Sequence, residues 1–164
     1  MLLERRAVQL RLRNRRALNG QIHITEGQSL ATFLSTKLHF LNLTQVEWGE
    51  EGAETRVPHL SVRMNQIVWA VPMEPALHLS SAELPSDDRR SLELLVEGGY
   101  RLHVQLNVAR ETRMSDHLDA NPGFLPLWSV RIVGTGQTLE RMALNHDAIE
   151  VIRELDRTDP RERA

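Results

Sequence analysis

The chain has 164 residues, a net charge of −2, 41% apolar residues and 26% charged residues, a globular rather than a disordered composition. It has no cysteine, which excludes a disulfide framework and any thiolate zinc site. No apolar run approaches the roughly 18 residues of a membrane span, and Met1–Arg6 lacks the apolar core of a signal peptide, so the expected compartment is the cytoplasm.

In chain order, Ala7–Arg13 alternates with Val8, Leu10 and Leu12 on one face, the period of a half-buried strand. A polar turn at Asn14-Arg15-Arg16 leads into a second alternating run, Leu18–Thr25, with Gly20 inside it. In Ser29–Lys37, Leu30, Phe33 and Leu34 fall at helical spacing behind Ser29 as N-cap, the pattern of a short helix or turn. Phe40–Trp48 reads as a third strand, and His59–Met64 and Ile67–Val71 as two more joined by a tight hairpin at Asn65-Gln66. Pro72, Pro75, Pro85 and Ser80-Ser81 mark a linker. The same succession follows: strands Leu92–Glu97 and Arg101–Arg110 around the hairpin signal Gly98-Gly99, a helical or irregular piece at Ser115–Ala120, then strands Phe124–Val133, Thr138–Leu144 and Ile149–Arg153. Residues 156–164 read as a charged tail.

That succession repeats residue by residue. A shift of 84 lays Ala7–Val46 over Ser91–Val130 without a gap, matching Val8, Leu10 and Leu12 with Leu92, Leu94 and Val96, and Phe40, Leu41 and Leu43 with Phe124, Leu125 and Leu127. A shift of 82 then matches Leu60, Val62, Ile67 and Trp69 with Met142, Leu144, Ile149 and Val151, the change falling in Gly49–Thr55 and Gly134–Gln137. The expected domains are therefore a first repeat at 1–73, a linker at 74–90, a second repeat at 91–155 and the tail at 156–164. Five short strands in about 65 residues hide their edges best by curling into a small barrel. Units this small are expected to lean on one another. Residues 1–82 carry +2 and residues 83–164 carry −4, a difference that favours docking of the halves.

Catalytic motifs are missing: there is no Gly-x-Ser-x-Gly, and Gly134-Thr135-Gly136 is too short for a phosphate loop. The seven histidines are scattered. Asp116-His117-Leu118-Asp119 with Asn121 is the densest group of donors and reads as a solvated turn. The expectation is no catalytic residue, no metal and no cofactor. The basic residues Arg11, Arg13, Arg15 and Arg16 are the candidate ligand-binding group, because planar guanidinium forks suit phosphate. Their aligned positions in the second half are acidic or neutral, Leu95, Glu97 and Gly99 among them. The competing reading is a charged strand face that blunts an edge.

Leu18-Asn19-Gly20-Gln21-Ile22 is similar to the first motif of Sm-like small barrels, and Val62–Ile67 sits where their second motif falls, with Met64 in place of its Gly. The resemblance implies two tandem five-stranded small β-barrels of Sm-like or SH3-like kind, each with a short helical insertion. Its RNA-contacting Asp and Asn are not recognisable here, with Glu26 as the nearest stand-in. Arg11–Arg15 also has the Arg-x-x-x-Arg spacing of PilZ-type cyclic dinucleotide receptors, without their second motif. The sequence thus points to a non-enzymatic binding or scaffolding module, with a protein partner or a homo-oligomer, and no membrane. The alternative is a nucleotide- or RNA-binding barrel that uses the first-half arginines.

Overall fold

The computed structural model describes residues 2–48, 55–80 and 89–155. The expected tail, residues 81–88 of the expected linker and most of Gly49–Thr55 lie outside the described residues. The protein is mainly β. The strands are β1 (Leu3–Leu12), β2 (Ala17–Thr25), β3 (Phe40–Trp48), β4 (Thr55–Arg63), β5 (Ile67–Pro72), β6 (Arg89–Val96), β7 (Tyr100–Asn107), β8 (Phe124–Ile132), β9 (Gln137–Asn145) and β10 (Ile149–Glu154). Two short helices interrupt them, α1 (Leu30–Ser35) and α2 (Met114–Ala120). All ten strands belong to one antiparallel sheet in the order β10-β6-β7-β8-β9-β5-β1-β2-β3-β4. The sheet is open: β10 and β4 are its two ends and do not pair with each other.

The two halves lay out their ladders in one pattern. β1 pairs with β2 and β5, as β6 pairs with β7 and β10. The registers correspond: Leu10 faces Leu18 and Ala70, while Leu94, 84 residues on, faces Leu102 and Ile152. The irregularities correspond too. The β2–β3 ladder slips at Gln45 and the β7–β8 ladder at Ser129, again 84 residues apart, and both residues have φ of 50°. An extra residue of this kind is a β-bulge. It explains why the buried positions of β3 change phase, from Leu41 and Leu43 to Val46. It also explains Gly20: a Cβ there would lie 3.3 Å from Val46 Cγ2, under the bulge.

Two expectations from sequence are corrected here. The residues around Asn65-Gln66 do not form a hairpin, because β4 and β5 are not neighbours in the sheet. Met64–Gln66 is instead a 3₁₀ turn, anchored by the Met64 amide on the His39 carbonyl (2.8 Å) and by the buried Met64 side chain. It carries the chain from the edge strand across to β5. The start of the expected linker packs against α1. Leu77 and Leu79 are fully buried, and the carbonyls of His78 and Leu79 accept the Leu30 and Ala31 amides (2.8 and 3.0 Å). Those bonds occupy the first helical amides of α1. Ser29 Oγ, expected to cap them, donates to Thr32 Oγ1 at 3.0 Å instead.

The core divides into two clusters that share β5. Ile67 and Ala70 join the cluster built on Leu10, Ile22 and Leu43. Val68, Trp69 and Val71 join the cluster built on Leu94, Leu106 and Leu127. All six β5 residues are buried, which is why this strand reads as an unbroken apolar run. Trp69 should therefore matter far more than Val151, its counterpart 82 residues on, since Trp69 is 2% exposed and Val151 is 52% exposed. Urea denaturation is expected to show that Trp69→Ala costs about 3–5 kcal/mol and that Val151→Ala stays within about 0.5 kcal/mol. Equal costs would refute the central placement of β5.

Candidate functional site

The first-half arginines lie at the seam between the halves. β5 meets β9 there through Trp69 opposite Leu144 and Ala70 opposite Ala143. Tyr100, at the start of β7, sets its ring edge-on to Trp69 with centroids 4.8 Å apart. The Arg11 guanidinium lies 5.8 Å from the Trp69 ring and 6.0 Å from the Tyr100 ring, and donates to the Arg15 carbonyl at 2.9 Å. The Arg15 guanidinium lies 5.3 Å from the same Tyr100 ring. Arg13 donates through Nε to the Asn65 carbonyl and through Nη1 to the Glu97 carboxylate. Arg15 and Arg16 are exposed.

Local backbone chemistry puts these groups there. Arg15 holds φ of 71° in the β1–β2 turn, and Gly99 holds φ of 80° at the aligned place in the β6–β7 turn. Glycine adopts that conformation without strain, whereas an arginine must be held in it. The sequence singled out the arginines but not Tyr100 or the role of Glu97. The signal was present, since Glu97 is the residue aligned with Arg13 at the shift of 84. A basic residue in one half and an acidic one at the aligned position of the other meet as a pair.

Further ties cross the seam. Arg141 on β9 donates to the Leu77 and Glu74 carbonyls (2.7 and 3.2 Å). Asn145, buried at the end of β9, donates to the Ile67 carbonyl at 3.0 Å. The helix α1 packs against β8, where the Phe124 amide donates to Ser35 Oγ at 3.0 Å.

The second half carries two polar features that the sequence did not indicate. One is a cavity of about 850 Å³ lined by Arg89, Arg90, Arg110 and Arg113 together with Glu111 and Glu154. Arg90 is its wall: it donates to the carbonyls of Ala109, Arg110 and Thr112 (2.6, 3.1 and 2.7 Å) and to Glu154 (3.1 Å). Arg89 lies 5.0 Å from the Trp128 ring. The other is a belt across β10, β6, β7 and β8. Arg153 pairs with Glu93 at 3.2 Å, Glu93 with His103 at 2.8 Å, and Arg131 donates to His103 Nδ1 at 2.8 Å. Because Nδ1 accepts, Nε2 carries the hydrogen that it donates to Glu93. That bond holds the Glu93 carboxyl below the usual carboxylate range; burial opposes it, and Arg153 and Arg101 add to it.

The Asp116–Asp119 donors lie on α2 rather than in a turn. Burial pushes the His117 imidazole down, and nearby Arg90 pushes it further. Among the described residues no three His, Asp or Glu side chains converge as a metal site, and no helix is long and apolar enough to cross a membrane. Of the three tryptophans, Trp69 and Trp128 are buried, and Trp48 is 39% exposed at the end of β3. The chain matches no family model, no curated protein and no solved structure.

Two measurements check this site. A double-mutant cycle on Arg13→Met and Glu97→Gln should return a coupling of about 0.5–1 kcal/mol, the size for a partly solvated pair; additive effects would show that the pair does not tie the halves. The second concerns pH. The folded Glu93 carboxyl titrates lower than the unfolded one, so its contribution is complete above the unfolded carboxylate range and is lost as pH falls through the folded value. Glu93→Gln should flatten the acid limb of the stability–pH curve and leave its slope unchanged at neutral pH, as followed by thermal melts.

Proposed function

We propose that this chain is a non-catalytic binding or scaffolding module made of two tandem copies of one small five-stranded barrel unit, Sm-like or SH3-like in layout, each with a short helical insertion. The observation that carries the reading is the correspondence of ladders and bulges between the halves, down to Gln45 and Ser129 with the same φ. Each half also brings its fifth strand back to its first, the pairing that wraps a small unit around its own core. In such a module the halves supply backbone edges and surfaces, and the arginines of the first copy supply cohesion: Arg11 and Arg13 face Trp69, Tyr100 and Glu97. Edge strands recruit partners through unpaired amides and carbonyls rather than through side-chain chemistry.

A second reading, a nucleotide- or RNA-binding module, draws support from the exposure of Arg15 and Arg16 in one turn. One experiment separates the two. The parent and an Arg15→Ser/Arg16→Ser variant are titrated with single-stranded RNA and with a cyclic dinucleotide at 50 and 200 mM salt. Arg13 is left intact, because its pair with Glu97 would confound binding with folding. The module reading expects no salt-sensitive affinity in either protein. Salt-sensitive binding by the parent, lost in a variant whose near-ultraviolet circular dichroism stays that of the parent, would overturn it in favour of the second reading.

A further inference from the structure

The seam inside the molecule uses one strand from each half, and among the described residues no strand pairs with the outer edge of either counterpart. β5, the last strand of the first half, pairs with β9 of the second. The counterpart of β5 is β10, which follows a matching 3₁₀ turn at His146–Ala148 and pairs with β6 as β5 pairs with β1. The counterpart of β9 is β4. These two are the free ends of the sheet. The molecule therefore presents at one end the kind of strand, and at the other end the kind of acceptor, that it joins at its centre.

We propose that the chain associates head to tail with further copies of itself, β10 of one molecule adding to β4 of the next. This rests on the duplicated-module reading above and names its partner. Carrying the seam register across by 82 residues sets Val151 opposite Val62 and Ile152 opposite Ser61, as Trp69 lies opposite Leu144 and Ala70 opposite Ala143. The same register sets Glu150 against Arg63 and Glu154 against His59, unlike charges or a hydrogen-bonding pair at each place.

The apolar surface agrees. Trp69 is 2% exposed in the seam, while its counterpart Val151 is 52% exposed on β10. Phe124 is 8% exposed where α1 covers β8, while its counterpart Phe40 is 46% exposed on β3. The helix that would cover Phe40 is α2 of the neighbouring copy, which buries no residue of its own, whereas α1 buries Leu30, Ala31, Phe33 and Leu34. Ser35, which accepts the Phe124 amide, has Asp119 as its counterpart on α2, an acceptor suited to the Phe40 amide. Such a contact is heterologous, so successive copies close into a ring or run on as a fibre.

The test uses the full chain and light scattering coupled to size exclusion, from 5 to 100 µM. The parent is expected to run as an assembly of several copies. Val151→Lys blocks the β10 end, and Phe40→Glu/Arg63→Glu blocks the β4 end. Each variant alone should be monomeric, and an equimolar mixture should give a 1:1 dimer and nothing larger, because only one competent junction remains. All three positions are exposed in the single molecule, so thermal melts should show both variants folded. A parent monomeric at 100 µM would overturn the proposal, as would variants that keep the parent's size or dimerise singly. Hydrogen exchange distinguishes this from failure of the underlying reading. Protected amides at Trp69 and Ala70 in a monomeric parent would sink the assembly alone, whereas unprotected ones would sink the duplicated-module reading as well.

Discussion

The fold depends on a strand that is buried on both faces. β5 lies between β1 of its own half and β9 of the other, and its side chains feed both cores. Fully burying a large apolar side chain is worth roughly 1.5–3 kcal/mol, so Ile67, Val68, Trp69 and Val71 together outweigh any single surface interaction here. A unit of some 70 residues has little core of its own. By sharing β5, each half borrows apolar surface from the other. Phe124, Trp128 and Ala143 join the first core in the same way that Val68, Trp69 and Val71 join the second.

The polar contacts around this strand set orientation more than stability. Arg13 with Glu97, Arg141 with the Leu77 and Glu74 carbonyls, and Asn145 with the Ile67 carbonyl all bridge the halves. Partly exposed ion pairs contribute about 1 kcal/mol or less. Asn145 is different because it is buried: removing its amide would leave the Ile67 carbonyl without that partner, a cost of about 1–3 kcal/mol. The arginines that read from sequence as a ligand grip thus have a structural occupation. Arg11 and Arg15 spend their flat faces on Trp69 and Tyr100, where a guanidinium gains from the ring quadrupole.

An open sheet of ten strands leaves two edges, which proteins ordinarily blunt with charge, proline or bulges. β4 carries Pro58 and Arg63, and β10 carries Glu150, Arg153 and Glu154. These charges are mixed in sign. They discourage indiscriminate pairing while leaving a complementary pairing favourable, the combination that specificity requires.

The sequence by itself determined where strands run and which positions face inward. Alternation is local, with a period of two, so Leu10, Ile22, Leu94 and Leu106 could be read as core before any packing was known. The turn at Gly98-Gly99 was legible for the same reason, since φ of 96° and 80° is costly for other residues. The matched spacing of apolar residues at 84 was legible because patterning survives where identity does not. Tertiary structure alone decided which strands are neighbours. Backbone ladders leave no side-chain signature, so the crossing from β4 to β5 looked like a hairpin, and the pairing of β5 with β9 had no local mark. It also decided the phase change at Gln45 and Ser129, because neither residue type favours the positive φ that it holds there, so neither marks a bulge along the chain. The fate of the arginines was undecidable along the chain: a guanidinium suits phosphate, carboxylate, carbonyl and aromatic ring alike, and only the fold brings Glu97 and Tyr100 within its reach.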